Sequence, residues 1–204
     1  DESADVYNDI IRADPGNRSA LIGLGRLAVK EGSFQQASEW FEKAARAGDA
    51  AGQSGLEWAF VHLMNNDFDK ARLALQQTTD LQPKNLNAWA LLAHLQLQNN
   101  EVNEVETIVL PKMEKVAESI DNYYVQLIKA MVHMKKAETD QRPERYLRVA
   151  REGFIRASKL NQSALYLNDV ILELDIQLND QESALLHSRQ VLRNNRRHAL
   201  ANYV

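Results

Sequence analysis

The side chains best suited to catalysis or metal binding are five histidines spread along the chain, His62, His94, His133, His187 and His198. None lies four residues from another histidine or within an HExxH motif, so the helical histidine pair that binds zinc is missing. The chain has no cysteine, which excludes disulfides, cysteine-ligated zinc and a cysteine nucleophile. It also lacks the GxSxG motif and the P-loop. We therefore expect no metal, no cofactor and no enzymatic activity.

A basic cluster near the end of the chain, in SRQVLRNNRRHA, is the second candidate for chemistry; it contains Arg189, Arg193, Arg196, Arg197 and His198. Clustered arginines can bind phosphate or nucleic acid. The pattern places them at a helix C-terminus and the following turn, where cations interact favourably with the helix dipole. No aromatic residues alternate with them to stack on bases, and the net charge is −4. We favour a structural role, and nucleic-acid binding is the weaker alternative.

The composition indicates that these side chains are positioned by helices. Hydrophobic residues make up 45% and charged residues 25% of the chain, and eight glycines and four prolines supply few tight turns. The commonest residues are helix formers, so the predicted fold class is all-α. No apolar run is long enough to span a membrane, and the acidic start DESADVYNDI is not a signal peptide. Cytoplasmic and bacterial periplasmic locations both fit.

Sequence features recur at a fixed interval of about 34 residues, or at twice that interval. The similar segments ADPGNRSALIGLG and LQPKNLNAWALLA begin at Ala13 and Leu81, two intervals apart. One interval separates Phe34 from Phe68 and Ala37 from Ala71. A fixed period of this length indicates stacked helical hairpins, because one hairpin cannot bury its own apolar stripe.

The residues within each period resemble the tetratricopeptide repeat family. The matching positions are Leu21, Leu24 and Gly25 followed by Ala37, Phe41 and Ala44; then Trp58 and Ala59 followed by Ala71, Leu75, Thr78 and Pro83; then Trp89, Leu92 and Ala93. The resemblance implies an α-α superhelix, a right-handed solenoid of antiparallel helix pairs. It also implies a concave groove, lined by the first helix of each pair, that binds an extended or helical peptide.

We expect one repeat array over residues 1–204. It divides into a half repeat at 1–17, repeats at 18–51, 52–85, 86–120, 121–163 (with an insertion) and 164–198, and the start of a truncated repeat at 199–204. Because the chain begins and ends within a repeat, we expect a fragment of a longer array, with genuine end caps as the alternative. Exposed repeat ends could pair two copies into a homodimer.

Two prolines interrupt the regular pattern. Pro111 lies inside the expected second helix of the third repeat, where a proline predicts a kink or a restarted helix. The fourth repeat is longer than the others, and the excess falls in HMKKAETDQRPERY. We interpret it as a lengthened first helix and a polar loop, with Pro143 opening the next helix.

The candidate groove residues are those on first helices that face away from the paired helix: Arg26, Lys30, Phe60, Met64, His94, Gln98, Lys129 and His133. Phe60 and Met64 either pack between repeats or form an apolar floor. The cations could hold an acidic segment. Some family members bind chaperone tails with Lys, Asn and Arg, but the matching positions hold Ile22, Arg26, Glu57, Asn87 and Leu91, so this clamp is not expected.

Two functions follow from these expectations. The first is a non-enzymatic scaffold that binds a partner peptide or protein segment in the groove. The alternative is a docking or assembly region of a larger enzyme or of a secretion or envelope complex.

Overall fold

The computed structural model describes residues 2–48, 53–119 and 121–204. Every regular element in these ranges is a helix, which confirms the all-α prediction. The chain forms two compact units, Asp1–Leu95 and Gln96–Val204, called here the N-terminal and C-terminal units.

The N-terminal unit is a series of helices, of which the first five pack on one another in sequence order. They are α1 (Glu2–Ala13), α2 (Arg18–Lys30), α3 (Phe34–Arg46), α4 (Gln53–Met64), α5 (Phe68–Leu81) and most of α6 (Leu86–Gln98). Packing joins α1 to α2, α2 to α3, α3 to α4 and α4 to α5. The connections after α2 and α4 are short, so each pair forms an antiparallel helical hairpin.

The residues that match the family pattern form the contact inside the first hairpin. Leu21, Leu24 and Gly25 of α2 are buried, as are Ala37 and Phe41 of α3. A Cβ atom added to Gly25 would lie 2.6 Å from the Phe41 ring. A small residue is needed there because the aromatic ring fills the space that a side chain would occupy.

A residue in the left-handed conformation follows the first helix of several hairpins. Gly32, Asn66, Asn100 and Asn179 have φ between 52° and 74°. In each case the next backbone N–H donates to the carbonyl five residues earlier, which is the Schellman ending of a helix; the bonds run from Ser33 to Ala28, Asp67 to His62, Glu101 to Gln96 and Asp180 to Asp175. Glycine and asparagine tolerate this conformation best, so these turns repeat with the helices.

The C-terminal unit holds the end of α6 and the later helices. These are α7 (Val102–Glu104), a π-helical segment (Val105–Val109), α8 (Leu110–Ala117), α9 (Tyr123–Thr139), α10 (Glu144–Leu160), α11 (Tyr166–Gln177), α12 (Gln181–Asn194) and α13 (Ala199–Tyr203). From α9 onward each helix packs on the next.

Near Pro111, where a kink or a restarted helix was predicted, the helix type changes. The π-helical segment ends at Val109, and Pro111 lies in the first turn of α8. Proline has no backbone N–H and its ring clashes with the carbonyl four residues earlier. A π-helical segment directly precedes α8, and the backbone remains helical through the junction.

The long fourth repeat is accommodated by both of its helices. The lengthened first helix and the opening position of Pro143 are confirmed, because α9 has 17 residues and Pro143 caps α10. The polar loop is the short connection over 140–143, between the end of α9 and the start of α10. Gly153 allows the close contact, since a Cβ there would lie 2.9 Å from the Ala130 Cβ.

The division into repeats stays a prediction. The expected boundaries after residues 51 and 120 adjoin positions outside the described ranges.

Candidate partner-binding face

The predicted groove residues occupy equivalent positions on successive first helices. Arg26, Phe60 and His94 recur at the repeat interval, and Lys30, Met64 and Gln98 each follow one of them by about one helical turn. The N-terminal unit contains Arg26, Lys30, Phe60, Met64 and His94, whereas Gln98, Lys129 and His133 belong to the C-terminal unit. Most of these residues are in the N-terminal unit, where side chains of α2 and α4 contact each other. We call Arg26, Lys30, Glu57, Phe60 and Met64 the first-helix face.

Phe60 and Met64 are the exposed apolar residues of α4. Their relative exposures are 56% and 45%, whereas Trp58 and Ala59, on the side that packs in the unit, are buried. The two exposed residues are four positions apart, so they are neighbours on one side of the helix. Packing within the N-terminal unit therefore leaves most of the Phe60 ring accessible.

An ion pair that the sequence did not indicate lies beside this apolar pair. Arg26 of α2 donates from Nε to both carboxylate oxygens of Glu57 on α4, at 3.1 and 3.2 Å, and also from Nη2 to Oε1. The hydrogen bond that Arg26 donates to Glu57 raises the pKa of Arg26. Glu57 precedes Phe60 by one helical turn, so the pair joins the two first helices. It also matches the Arg26 charge with a carboxylate.

Of the other candidate cations, Lys129 has a carboxylate partner, two histidines have a lowered pKa, and Lys30 differs from them. Lys129 Nζ lies 2.6 Å from Glu114 Oε1. His133 stacks on Tyr146 with ring centroids 6.0 Å apart, and burial, followed by the nearby Lys136 charge, lowers its pKa. Burial also lowers the pKa of His94. Among the residues that the structure describes, no carboxylate pairs with Lys30.

A buried polar cluster fixes the orientation of α4. Trp58 Nε1 donates to Ser38 Oγ at 3.0 Å, and Ser38 Oγ lies 3.0 Å from His62 Nε2. His62 Nδ1 is 3.9 Å from Asp67 Oδ2, too far for a hydrogen bond. The order serine, histidine, aspartate is that of a hydrolase triad, but both Ser38 and His62 are buried. The contacts instead tie α3 to α4 and hold Trp58 inward.

Most of the basic cluster lies where the sequence placed it, whereas Arg189 lies earlier in α12 (Gln181–Asn194). Arg193 is in the last turn of α12, and Arg196 and Arg197 lie in the connection to α13. His198 Nδ1 accepts a hydrogen bond from the Ala201 backbone N–H and caps α13. The position of Arg193, Arg196, Arg197 and His198 around helix ends agrees with the structural role that we favoured.

Neither a metal site nor a membrane span emerges from the described ranges. Within 2–48, 53–119 and 121–204, no three His, Asp or Glu side chains are grouped to hold a metal ion. The helices found there are too short or too polar to cross a bilayer.

Comparison with known proteins agrees with the repeat pattern. Two family models, both described as tetratricopeptide repeat, match residues 1–52 and 62–118, together just over half of the chain. The chain belongs to the tetratricopeptide repeat family. The fold of this family is typical of protein–protein interaction scaffolds.

Solved structures show the same fold over nearly the whole chain. A tetratricopeptide repeat protein from Parabacteroides merdae has a TM-score of 0.71 and 14% identity, covering 97% of this chain and 74% of its own. PilF of Pseudomonas aeruginosa has a TM-score of 0.66 and 16% identity, covering 97% and 85%. YrrB, described as a TPR protein with an unusual peptide-binding site, has a TM-score of 0.61 and 13% identity, covering 98% and 97%. At these identities the likeness concerns the fold alone.

Proposed function

We propose that this protein is an interaction scaffold that binds a protein segment on the first-helix face, with Phe60 and Met64 as its apolar anchors. The observation that carries the proposal is their exposure, 56% and 45%, in a unit that otherwise buries its α4 aromatic residue, Trp58. Aromatic side chains are common binding hot spots, and methionine adapts to varied partners.

The charges on this face favour a mainly apolar segment. Glu57 neutralises Arg26, so an acidic partner would have to displace an existing carboxylate to bind this guanidinium. Lys30 could bind one acidic group next to the apolar anchor. A mainly apolar partner differs from the acidic segment that the cations in the sequence suggested, because the sequence did not show that Arg26 is paired with Glu57.

Peptide selection tests the proposal, because the selection itself supplies the ligands. A phage-displayed peptide library is selected against the full chain, and the enriched peptides are measured by fluorescence anisotropy. The double variant Phe60→Ala/Met64→Ala should lose about tenfold or more in affinity, because truncating hot-spot residues costs more than about 1 kcal/mol each.

The matched control is Leu73→Ala/Leu81→Ala, which removes two exposed apolar side chains from α5, with exposures of 52% and 73%. This control should bind like the unchanged chain, and circular dichroism should show both variants folded. Equal affinity of the Phe60→Ala/Met64→Ala variant for the selected peptides would contradict the proposal.

Light scattering on the same samples tests the expected alternative of a homodimer.

The assembly-region alternative uses the same face. It differs in that the bound segment would belong to a larger enzyme or to a secretion or envelope complex. Affinity capture with the full chain, followed by mass spectrometry and by anisotropy on peptides of the captured protein, distinguishes the two.

A further inference from the structure

The C-terminal unit contains an open pocket that the scaffold function does not use. Its volume is about 320 Å³, and it lies between the end of α10, the connection to α11, α11 itself and α12. This volume is at the lower end of the range of small-molecule sites. The pocket is separate from the first-helix face, which belongs to the N-terminal unit.

The pocket lining is rich in groups that hydrogen-bond and contains one ammonium group. Its polar members are Ser158, Lys159, three amides of asparagine and glutamine near the α10–α11 connection, and His187 with Gln190 of α12. No carboxylate is among the lining residues. Among the residues that the structure describes, no acidic side chain pairs with Lys159. A lining of this type fits a small anion with several oxygen atoms.

A partly buried network behind the pocket orients His187. Its Nδ1 lies 2.5 Å from Asp175 Oδ2, and Asp175 is fully buried on α11. Arg151 of α10 donates from Nη1 to Asp175 at 2.9 Å and to Asp180 at 2.7 Å. The hydrogen bond from Arg151, and then that from Ser183 N–H, lower the pKa of Asp180 to about 2. Three helices therefore hold the imidazole in one orientation.

This arrangement leaves one ring nitrogen of His187 for a ligand. With Nδ1–H donated to Asp175, the hydrogen bond at Nε2 is left for another group; Nε2 accepts it in the neutral ring and donates it in the imidazolium. An oxyanion that also carries a hydroxyl group can satisfy Nε2 in either state, because the hydroxyl donates and its oxygen accepts, while its charged oxygen pairs with Lys159. Both features are shared by hydrogen phosphate, by a phosphate monoester in its singly protonated form and by a hydroxycarboxylate.

We propose that this pocket binds a small oxyanion that carries a hydroxyl group, with His187 Nε2 accepting from the hydroxyl and Lys159 paired with the charged oxygen. Asp175 acts through His187 as a positioning residue. The ligand is either a phosphate compound or a hydroxycarboxylate, and separate probes distinguish the two.

Isothermal titration calorimetry on the full chain tests this site with inorganic phosphate, tartrate and sulfate. Either phosphate or tartrate should bind saturably at concentrations up to about 10 mM, and the one that binds identifies the ligand type. Sulfate, which has no hydroxyl group at neutral pH, should bind more weakly. In parallel, the His187 Cε1–H resonance should shift with the ligand that binds.

Two variants locate the binding. His187→Asn keeps an N–H near the Nδ1 position for Asp175 and removes Nε2, and Lys159→Gln removes the ammonium. Each should weaken binding by about tenfold or more, because hydrogen bonds to charged groups are strong. The control Lys115→Gln removes a lysine from α8, outside the pocket, and should leave binding unchanged. Absent binding of both phosphate and tartrate, sulfate binding as tight as theirs, or affinity unaffected by both pocket variants would overturn the proposal.

Discussion

The contact between α9 and α10 provides a quantitative test of the packing. A Cβ added at Gly153 would lie 2.9 Å from the Ala130 Cβ and 3.4 Å from its Cα. Neither atom can rotate away, because both are fixed to the α9 backbone, so Gly153→Ala must push two 17-residue helices apart. Overpacking of this kind costs about 1–3 kcal/mol, and the better helix propensity of alanine returns about 1 kcal/mol. The expected net loss in unfolding free energy is about 1 kcal/mol.

Urea unfolding followed by circular dichroism measures this loss. With a slope of about 2 kcal/mol/M, the midpoint should fall by about 0.5 M. Gly23→Ala is the matched control: its Cβ would lie 2.4 Å from the Tyr7 ring, but that ring is the end of a rotatable side chain that is only half-buried on α1. We expect this control to keep stability unchanged or to raise it by up to about 1 kcal/mol, because overpacking does not offset the better helix propensity of alanine there. A midpoint for Gly153→Ala at or above that of the unchanged chain, with an unchanged slope, would refute the reasoning.

Two further predictions concern charge. Glu57→Gln should change the free energy of unfolding by no more than about 1 kcal/mol, as is usual for exposed ion pairs. It should also leave the Arg26 guanidinium without its carboxylate partner. An acidic version of a selected peptide should then bind this variant more tightly than the unchanged chain, and anisotropy at low and high salt should show that the difference depends on salt. Burial lowers the pKa of His62 in the folded chain, despite the opposing Asp67 charge. Between this lowered pKa and the unfolded value of about 6.5, the unfolded chain therefore binds more protons than the folded chain. The stability that the neutral, buried His62 contributes should be complete above about pH 6.5 and should decline as the pH falls. Urea midpoints at pH 7.5 and 5.5 should therefore differ less for His62→Gln than for the unchanged chain, and equal differences would contradict this assignment.

Much of the fold was predictable because its determinants are local. The spacing of Leu21 and Leu24 on one helix, and of Ala37 and Phe41 on the next, defines two apolar stripes that must meet. Pro111 and Pro143 mark helix starts through backbone chemistry alone.

The sequence by itself determined the helical class, the repeat period, the family and the helix positions of Phe60 and Met64. Only the tertiary structure decided which charges remain available. Arg26 pairs with Glu57 and Lys129 with Glu114, while Asp175 and His187 are brought together behind a pocket. The physical reason is the distance over which each feature is determined. Helical periodicity is local and specifies which side of a helix a residue occupies. An ion pair forms only if the charged ends of two side chains on different helices come within a few ångströms of each other.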